Sequence, residues 1–209
     1  MKRIIKDSPP KFWIEYMRRH PKSHYDDLEK SEDGRQIRKQ IREHMLANQK
    51  KICCYCCRTI TSNNSHNEHI KPRASFPKES MNYNNLLASC TSKTCGTAKG
   101  NTYDSGKFIS PLQEDCEKHF RFLPNGRIEG QTPMGESTIE CLNLNDYEPV
   151  QARRAQYKTC CDMAAYVGKE YVFEEYIQEK NGCLPRFVDM ITYFYDRGDF
   201  DSEICQVTD

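Results

Sequence analysis

Ile52-Cys53-Cys54-Tyr55-Cys56-Cys57 opens the stretch whose reading decides the fold. Cys90-Thr91-Ser92-Lys93-Thr94-Cys95-Gly96-Thr97-Ala98-Lys99-Gly100-Asn101 closes it. Between them stand His66-Asn67-Glu68-His69-Ile70-Lys71-Pro72 and Asn82-Tyr83-Asn84-Asn85-Leu86. The stretch brings together two groups of cysteines, a carboxylate beside an imidazole, and an Asn ahead of a short apolar run. Zn²⁺ takes four soft ligands in a tetrahedron, and C-x₂-C places two thiolates on one tight turn. Both Cys53/Cys56 and Cys54/Cys57 have that spacing, and Cys90 with Cys95 supplies the second pair. The expectation is one structural zinc, with the register of its first pair open. Such a staple matters in a segment with little regular structure.

Glu68 and His69 are neighbours on an expected strand, so they point to opposite faces and have different work to do. A carboxylate suits hard Mg²⁺ or Mn²⁺. A neutral imidazole suits a general base that activates water. Cleavage of a phosphodiester needs both functions, an activated nucleophile and a cation beside the leaving oxygen. Asn85 reads as the residue that orients His69. His66, three before His69 and on the other strand face, reads as a bystander. A zinc hydrolase fits poorly, because four cysteines leave the zinc no open position.

Outward from this core, Ser8-Pro9-Pro10 reads as the cap of a short helix over Phe12–Met17 that Pro21 ends. Residues 22–30 read as a polar connection. Ser31 caps a second helix, roughly 33–49, with Ile37, Ile41, Met45 and Leu46 on one stripe. Residues 52–72 read as a hairpin, Thr59-Ile60-Thr61 turning through 62–65 into a returning strand at His66–Ile70. Residues 102–147 read as irregular and strand-poor, with a turn and strand at Pro124-Asn125-Gly126-Arg127-Ile128. Helices are expected over 149–180 and 184–196, separated by Gly182. The fold class is α+β, a small zinc-stabilised core carrying helices at both ends. The division is 1–50 helical, 51–147 core with an irregular extension, and 148–209 helical.

The chain has 209 residues, twelve cysteines and a net charge of +1. Its charged, modestly apolar composition suits a globular protein. No apolar run is long enough to span a membrane, and Met1–Asp7 lacks a signal core. A cytoplasmic location follows as the expectation, and there paired cysteines bind metal more often than they form disulfides. Cys116, Cys141, Cys160, Cys161, Cys183 and Cys205 read as small buried hydrophobes. The charge is uneven. Arg35, Arg38, Lys39, Arg42, Lys50, Lys51 and Arg58 precede or enter the core, and Lys71, Arg73, Lys78, Lys93, Lys99 and Lys107 lie in or after it. Glu170, Glu174, Glu175, Glu179 and Asp196–Asp201 follow. A basic front of this kind gives a local footprint for phosphates without a high pI.

The motifs resemble the HNH, or ββα-metal, endonucleases. In that pattern an acidic residue and His precede x-x-Pro, Asn-Leu follows, and cysteine pairs bracket both. Cys53-x₂-Cys56, Glu68-His69-Ile70-x-Pro72, Asn85-Leu86, Cys90-x₄-Cys95 and Lys99 carry the resemblance. Tyr55, Asn84-Asn85-Leu86-Leu87, Lys99-Gly100-Asn101, Ile109-x-Pro111-Leu112, Phe120-x-Phe122 and Ile139-x-x-Leu142-Asn143-Leu144-Asn145 are similar to the PtuB branch. Those are the HNH subunits of Septu and retron-associated anti-phage systems.

The resemblance implies a metal-dependent nuclease with an ABC-type ATPase companion, PtuA-like, or a retron reverse transcriptase and msDNA assembly. It implies His69 as general base, Glu68 as Mg²⁺ or Mn²⁺ ligand, and Asn85 positioning the base. Lys99 would face phosphate or brace the helix, and Cys53, Cys56, Cys90 and Cys95 would hold Zn²⁺. DNA is the default substrate, with RNA such as tRNA open. One position departs from the pattern: where an Asn or His ligand directly follows the last cysteine, this chain has Gly96, and Asn101 or Asp104 is left to substitute. A zinc-stabilised binding module without catalysis is the alternative.

Overall fold

A computed structural model describes residues 1–201. Helix α1 (Lys11–Arg19) buries Trp13 and Tyr16. Pro10 occupies its N-cap with no side-chain capping bond, so Ser8 does not have the capping role expected of it. The polar connection contains a 3₁₀ turn, Tyr25–Glu29, because Tyr25 and Leu28 are drawn into the core. Helix α2 (Glu32–Asn48) starts as expected, with Ser31 Oγ accepting the Gly34 N–H at 3.0 Å. It buries the expected stripe of Ile37, Ile41, Met45 and Leu46.

The expected hairpin is corrected. Strand β1 (Ser65–His69) pairs antiparallel with β2 (Leu86–Cys90), not with Thr59–Thr61. The register runs from Ser65 opposite Cys90 to His69 opposite Leu86. The stretch 51–60 is unavailable as a strand because it bonds to itself. Ile60 N–H donates to Lys51 O at 2.8 Å, and Cys53 N–H to Arg58 O at 2.8 Å. A four-residue helix, α3 (Gly96–Lys99), follows β2.

The outer edge of β2 is closed rather than left open to solvent. Buried Gln49 donates to Ile52 O at 2.9 Å and Ala88 O at 2.8 Å, and accepts the Ala88 N–H at 2.7 Å. Cys54 N–H adds a bond to Ala88 O at 3.1 Å. The end of α2, the cysteine loop and β2 are thus locked together by one amide side chain.

Residues 102–147 are more regular than their composition implies. Strands β3 (Phe120–Phe122) and β4 (Ile128–Gly130) form a second hairpin. Its turn holds Gly126 at φ +85°, packed so closely that a Cβ would lie 2.2 Å from Val150 O. Helix α4 (Pro133–Cys141) was not expected, although Thr132 caps it through Gly135 N–H at 3.1 Å and Pro133 fills its first turn. The helix expected over 149–180 is two, α5 (Tyr147–Val167) and α6 (Lys169–Tyr176), divided at Gly168 with φ +98°. Helix α7 (Val188–Asp196) begins later than expected, because Phe187 takes a left-handed φ of 56°.

The class is α+β, with seven α-helices and two two-stranded sheets among the described residues. One apolar cluster gathers side chains from Met1 to Phe200. Buried Arg153 pins α5 to the second hairpin, donating to Gly126 O at 2.6 Å and Leu144 O at 2.7 Å. Cys116, Cys160 and Cys161 are buried and Cys141 and Cys183 are partly so, whereas Cys205 lies outside the described residues. No helix among the described residues is long and apolar enough to cross a membrane.

Gln49→Leu removes the amide and strands the Ala88 N–H and the Ile52 carbonyl in a dry site. The expected loss, read by denaturant titration, is about 2–3 kcal/mol. A change of a few tenths would mean that the edge of β2 does not depend on this side chain.

Candidate metal centre and strand-face site

Three pieces of chain deliver four sulphurs to one point. Positive φ at Lys50, Lys51 and Cys57 bends 50–57 back on itself, and Cys57 N–H closes the turn on Cys53 O at 3.1 Å. Cys90 ends β2, and Cys95 stands at the start of α3. The sulphurs of Cys53, Cys56, Cys90 and Cys95 all lie within 4.8 Å of one another, and all four residues are buried. The Cys56 and Cys90 sulphurs are 3.9 Å apart. Four thiolates about 2.3 Å from one Zn²⁺ would be spaced roughly 3.8 Å apart, so the cage fits a tetrahedral ion. Cys54 and Cys57 fall outside it. Burial pushes the Cys54 thiol well up, and Cys57 packs with Ile52 and Val188 in a small apolar cluster. Of the two spacings left open, the sulphurs of Cys53 and Cys56 are the ones that lie with Cys90 and Cys95.

Alternation along β1 separates two further groups. Glu68 and His66 share the face toward α3. Glu68 is buried, with Oε1 accepting from Tyr55 OH at 3.1 Å and facing Lys99 Nζ at 2.9 Å. Its other oxygen, Oε2, lies 3.2 Å from His66 Nε2. Burial raises the Glu68 carboxyl, but the His66 hydrogen bond and the Lys99 ammonium outweigh it and hold the group below its ordinary value. It is an anion in a dry place, paired on both oxygens.

His69 and Asn67 share the opposite face. His69 Nε2 donates to Ser80 O at 2.9 Å, and the Tyr25 ring meets the imidazole edge-on at 4.5 Å. Burial lowers His69 to about 4, against the opposing pull of the Ser80 carbonyl. The imidazole is thus neutral at pH 7, with its proton on Nε2 and a lone pair on Nδ1. Tyr25 itself is held by Asn67, whose amide donates to its hydroxyl at 2.6 Å.

Asn85 does not touch His69. Its amide donates to Lys71 O at 2.9 Å and Glu79 O at 3.0 Å, and its oxygen accepts the Lys71 N–H at 2.7 Å. It therefore staples the 71–80 loop whose Ser80 carbonyl holds His69, one step further out than sequence reasoning placed it. Lys99 is buried and also donates to His69 O at 3.0 Å. It braces α3 to β1 rather than facing solvent.

Gly100, at φ +52°, turns the chain out after α3. Asn101 is exposed and does not join the Glu68 group. Asp104 is also exposed, accepting from Gly106 N–H at 2.8 Å. Ser80, Gln49 and the bond from Tyr55 to Glu68 were missed by sequence reasoning, since the partners at His69, Ala88 and Glu68 are distant in the chain. His66 was readable, because two residues on a strand share a face.

Much of the expected basic front is engaged within the chain. Arg35 pairs with Glu32, Arg38 with Glu29, Lys50 with Glu179 and Arg58 with Glu148. Arg42 donates to Asn67 Oδ1 at 3.1 Å. Lys39, Lys78 and Lys93 are exposed and carry no ion pair among the described residues.

The chain is 31% identical to the Septu protein PtuB of Bacillus thuringiensis over 105 residues, 49% of this chain and 39% of that one. It is 28% identical over 131 residues to the candidate HNH endonuclease of retron Vc95 from Vibrio cholerae, 54% of this chain and 61% of that one. It is 29% identical over 203 residues to the candidate HNH endonuclease of retron Ec83 from Escherichia coli, covering 74% and 78%. The chain thus spans less than two thirds of the first two relatives. No protein-family model matches it. The resemblance to the HNH nucleases of anti-phage defence, read from the motifs, is borne out by these three relatives.

The register of the metal cage has a direct check. Cys53→Ser, Cys56→Ser, Cys90→Ser and Cys95→Ser should each lower bound zinc in elemental analysis and depress Tm by at least about 10 °C. Cys54→Ser and Cys57→Ser should keep the zinc. Zinc lost from the second group and kept in the first would reverse the assignment.

Proposed function

We propose that this chain is a metal-dependent endonuclease that hydrolyses phosphodiester bonds of nucleic acid as the effector of an anti-phage defence system. The observation that carries the reading is the pairing of a neutral, carbonyl-oriented His69 with an ionised Glu68 on opposite faces of one strand. That strand, β2 and α3 stand as the ββα-metal core of the motif, within residues 51–147 and flanked by 1–50 and 148–209. Zn²⁺ is the metal for the four-cysteine cage, where it would tie the ends of β2 and α3 to the cysteine loop.

Each residue then has one task. His69 takes a proton from the attacking water at Nδ1, since its other nitrogen is committed to Ser80. Ser80 and Asn85 keep the ring from turning. Glu68 holds the catalytic cation through a carboxylate that Tyr55 and Lys99 have already oriented. A bound Mg²⁺ or Mn²⁺ supplies positive charge beside the phosphate oxygens. Exposed Lys39, Lys78 and Lys93 are available to backbone phosphates, and contacts of that kind position a strand without reading its sequence. DNA is the first substrate to test and structured RNA the second. Gly96 at a ligand position and the near-neutral net charge of +1 favour the non-catalytic module.

The partner in this reading is an ABC-type ATPase. Among the aromatic residues of the C-terminal helices, Phe187 and Phe194 are core, Tyr176 and Tyr195 are half-buried, and Tyr171 and Phe173 remain 38% and 42% exposed on α6. Of the apolar residues of α1 only Ile14 is exposed, so α1 offers little apolar surface for docking.

His69→Ala should reduce cleavage of DNA or RNA by about 10²–10⁴-fold while leaving zinc content unchanged and the protein folded, with a Tm lowered by the lost Ser80 hydrogen bond and Tyr25 contact. Undiminished cleavage would remove His69 from the chemistry. For the partner, Tyr171→Asp combined with Phe173→Asp should weaken capture of the ATPase by at least about tenfold in a co-expression pull-down. Full recovery of the complex would move the interface away from α6.

A further inference from the structure

Gly96 and His66 meet at the one place where the chain departs from the HNH pattern. Residue 96 has no side chain to offer a cation. It also has no room for one, since a Cβ there would lie 2.4 Å from Glu68 Oε2 and 2.7 Å from His66 Nε2. The space beside Glu68 that a ligand from α3 would use is filled instead from β1. His66 is two residues before Glu68 and on the same face, and its Nε2 lies 3.2 Å from Oε2. That separation suits two adjacent corners of an octahedral cation, which are roughly 3.0 Å apart for bonds of about 2.1 Å.

The two oxygens of Glu68 are already distinguished. Tyr55 and Lys99 hold Oε1, so Oε2 is the oxygen turned toward His66 and Gly96. His66 is only half-buried, which leaves this corner open to water and to a phosphate oxygen. Nε2 and Oε2 now share a proton, and the same two lone pairs can share a cation.

We propose that His66 Nε2 and Glu68 Oε2 form the divalent-cation site of this chain, with His66 supplying the ligand that residue 96 lacks and Gly96 leaving space for it. The proposal rests on the nuclease reading above. An imidazole beside a carboxylate favours a first-row transition ion over Mg²⁺, because nitrogen is the softer donor. Mn²⁺ is therefore the appropriate probe and Mg²⁺ the weaker competitor.

The test titrates Mn²⁺ into the full-length protein with zinc followed by elemental analysis. Free Mn²⁺ is read from its EPR signal, and pulsed EPR reports ¹⁴N coupling from a bound imidazole. The expected result is one Mn²⁺ with a single imidazole nitrogen, displaced only by a large excess of Mg²⁺. His66→Ala should lose the coupling and weaken Mn²⁺ binding by at least about tenfold, at unchanged zinc content. His69→Ala should keep both, and Gly96→Ala should weaken binding by crowding Oε2. Unchanged affinity and coupling in His66→Ala, or no bound Mn²⁺ in the wild type, would overturn the proposal. Mn²⁺-dependent cleavage that survives His66→Ala at full rate sinks the ligand assignment and leaves the nuclease reading standing. Nitrogen-coupled Mn²⁺ without cleavage of DNA or RNA sinks the nuclease reading and leaves the site.

Discussion

Four cysteine sulphurs, carried by the loop at 53–56, the end of β2 and the start of α3, have to occupy one dry spot. Four buried sulphurs packed that closely form a set that one tetrahedral cation could hold. The surrounding elements cannot substitute for it. Strands β1 and β2 have five residues each and α3 has four, far below the length at which a helix or hairpin holds alone. The four-cysteine cluster is thus the constraint from which the local fold proceeds. It fixes where β2 ends and α3 begins, and so where Lys99 stands relative to Glu68.

The cage is also joined to the rest of the protein by backbone bonds. Cys90 N–H donates to Cys53 Sγ at 3.3 Å, and Gly96 N–H to Ser89 Oγ at 3.2 Å. Phe187 N–H reaches Cys57 O at 2.7 Å, so the last helix begins against the cysteine loop. A change at the start of α7 is therefore felt one residue from Cys56. The coupling runs through packing and hydrogen bonds with few alternatives, since Gln49 closes the other side of the same loop.

The sequence made some of this plain and hid the rest for physical reasons. Cysteine spacing is a local property of thiolate geometry, so two cysteine pairs drawn to one point could be read with the register of the first left open, as could α2 from its stripe and Ser31 cap. The wrong hairpin came from favouring the nearest partner. Thr59–Thr61 is close to β1 in the chain, but its neighbours' backbone groups are already committed to the cysteine turn. The true partner, Leu86–Cys90, is buried along its whole length and gives no alternation to read. Asn85 was readable as important but not as a loop staple, because its partners are carbonyls at 71 and 79. Asp26, Glu29 and Glu148, each far from its partner in the chain or hidden in a turn, neutralise cations that composition alone assigns to phosphate.

Lys99 shows how one side chain serves both faces of β1. Its ammonium lies 2.9 Å from Glu68 Oε1 and 3.0 Å from the His69 carbonyl. One of those groups belongs to the acidic face, and the other is the backbone of the residue whose imidazole lies opposite. An unpaired ammonium buried this deeply would be costly, and so would an unpaired Glu68 carboxylate. Each needs the other and the His69 carbonyl completes the set, so the distance between the two faces is fixed by charge as well as by the strand. Placement of that kind is what a two-part hydrolytic site requires, because a base and a cation work together only when the geometry between them is held before substrate arrives. The short helix that carries Lys99 in turn starts from Cys95, so the four-cysteine cluster sets where Lys99 stands between Glu68 and the His69 carbonyl.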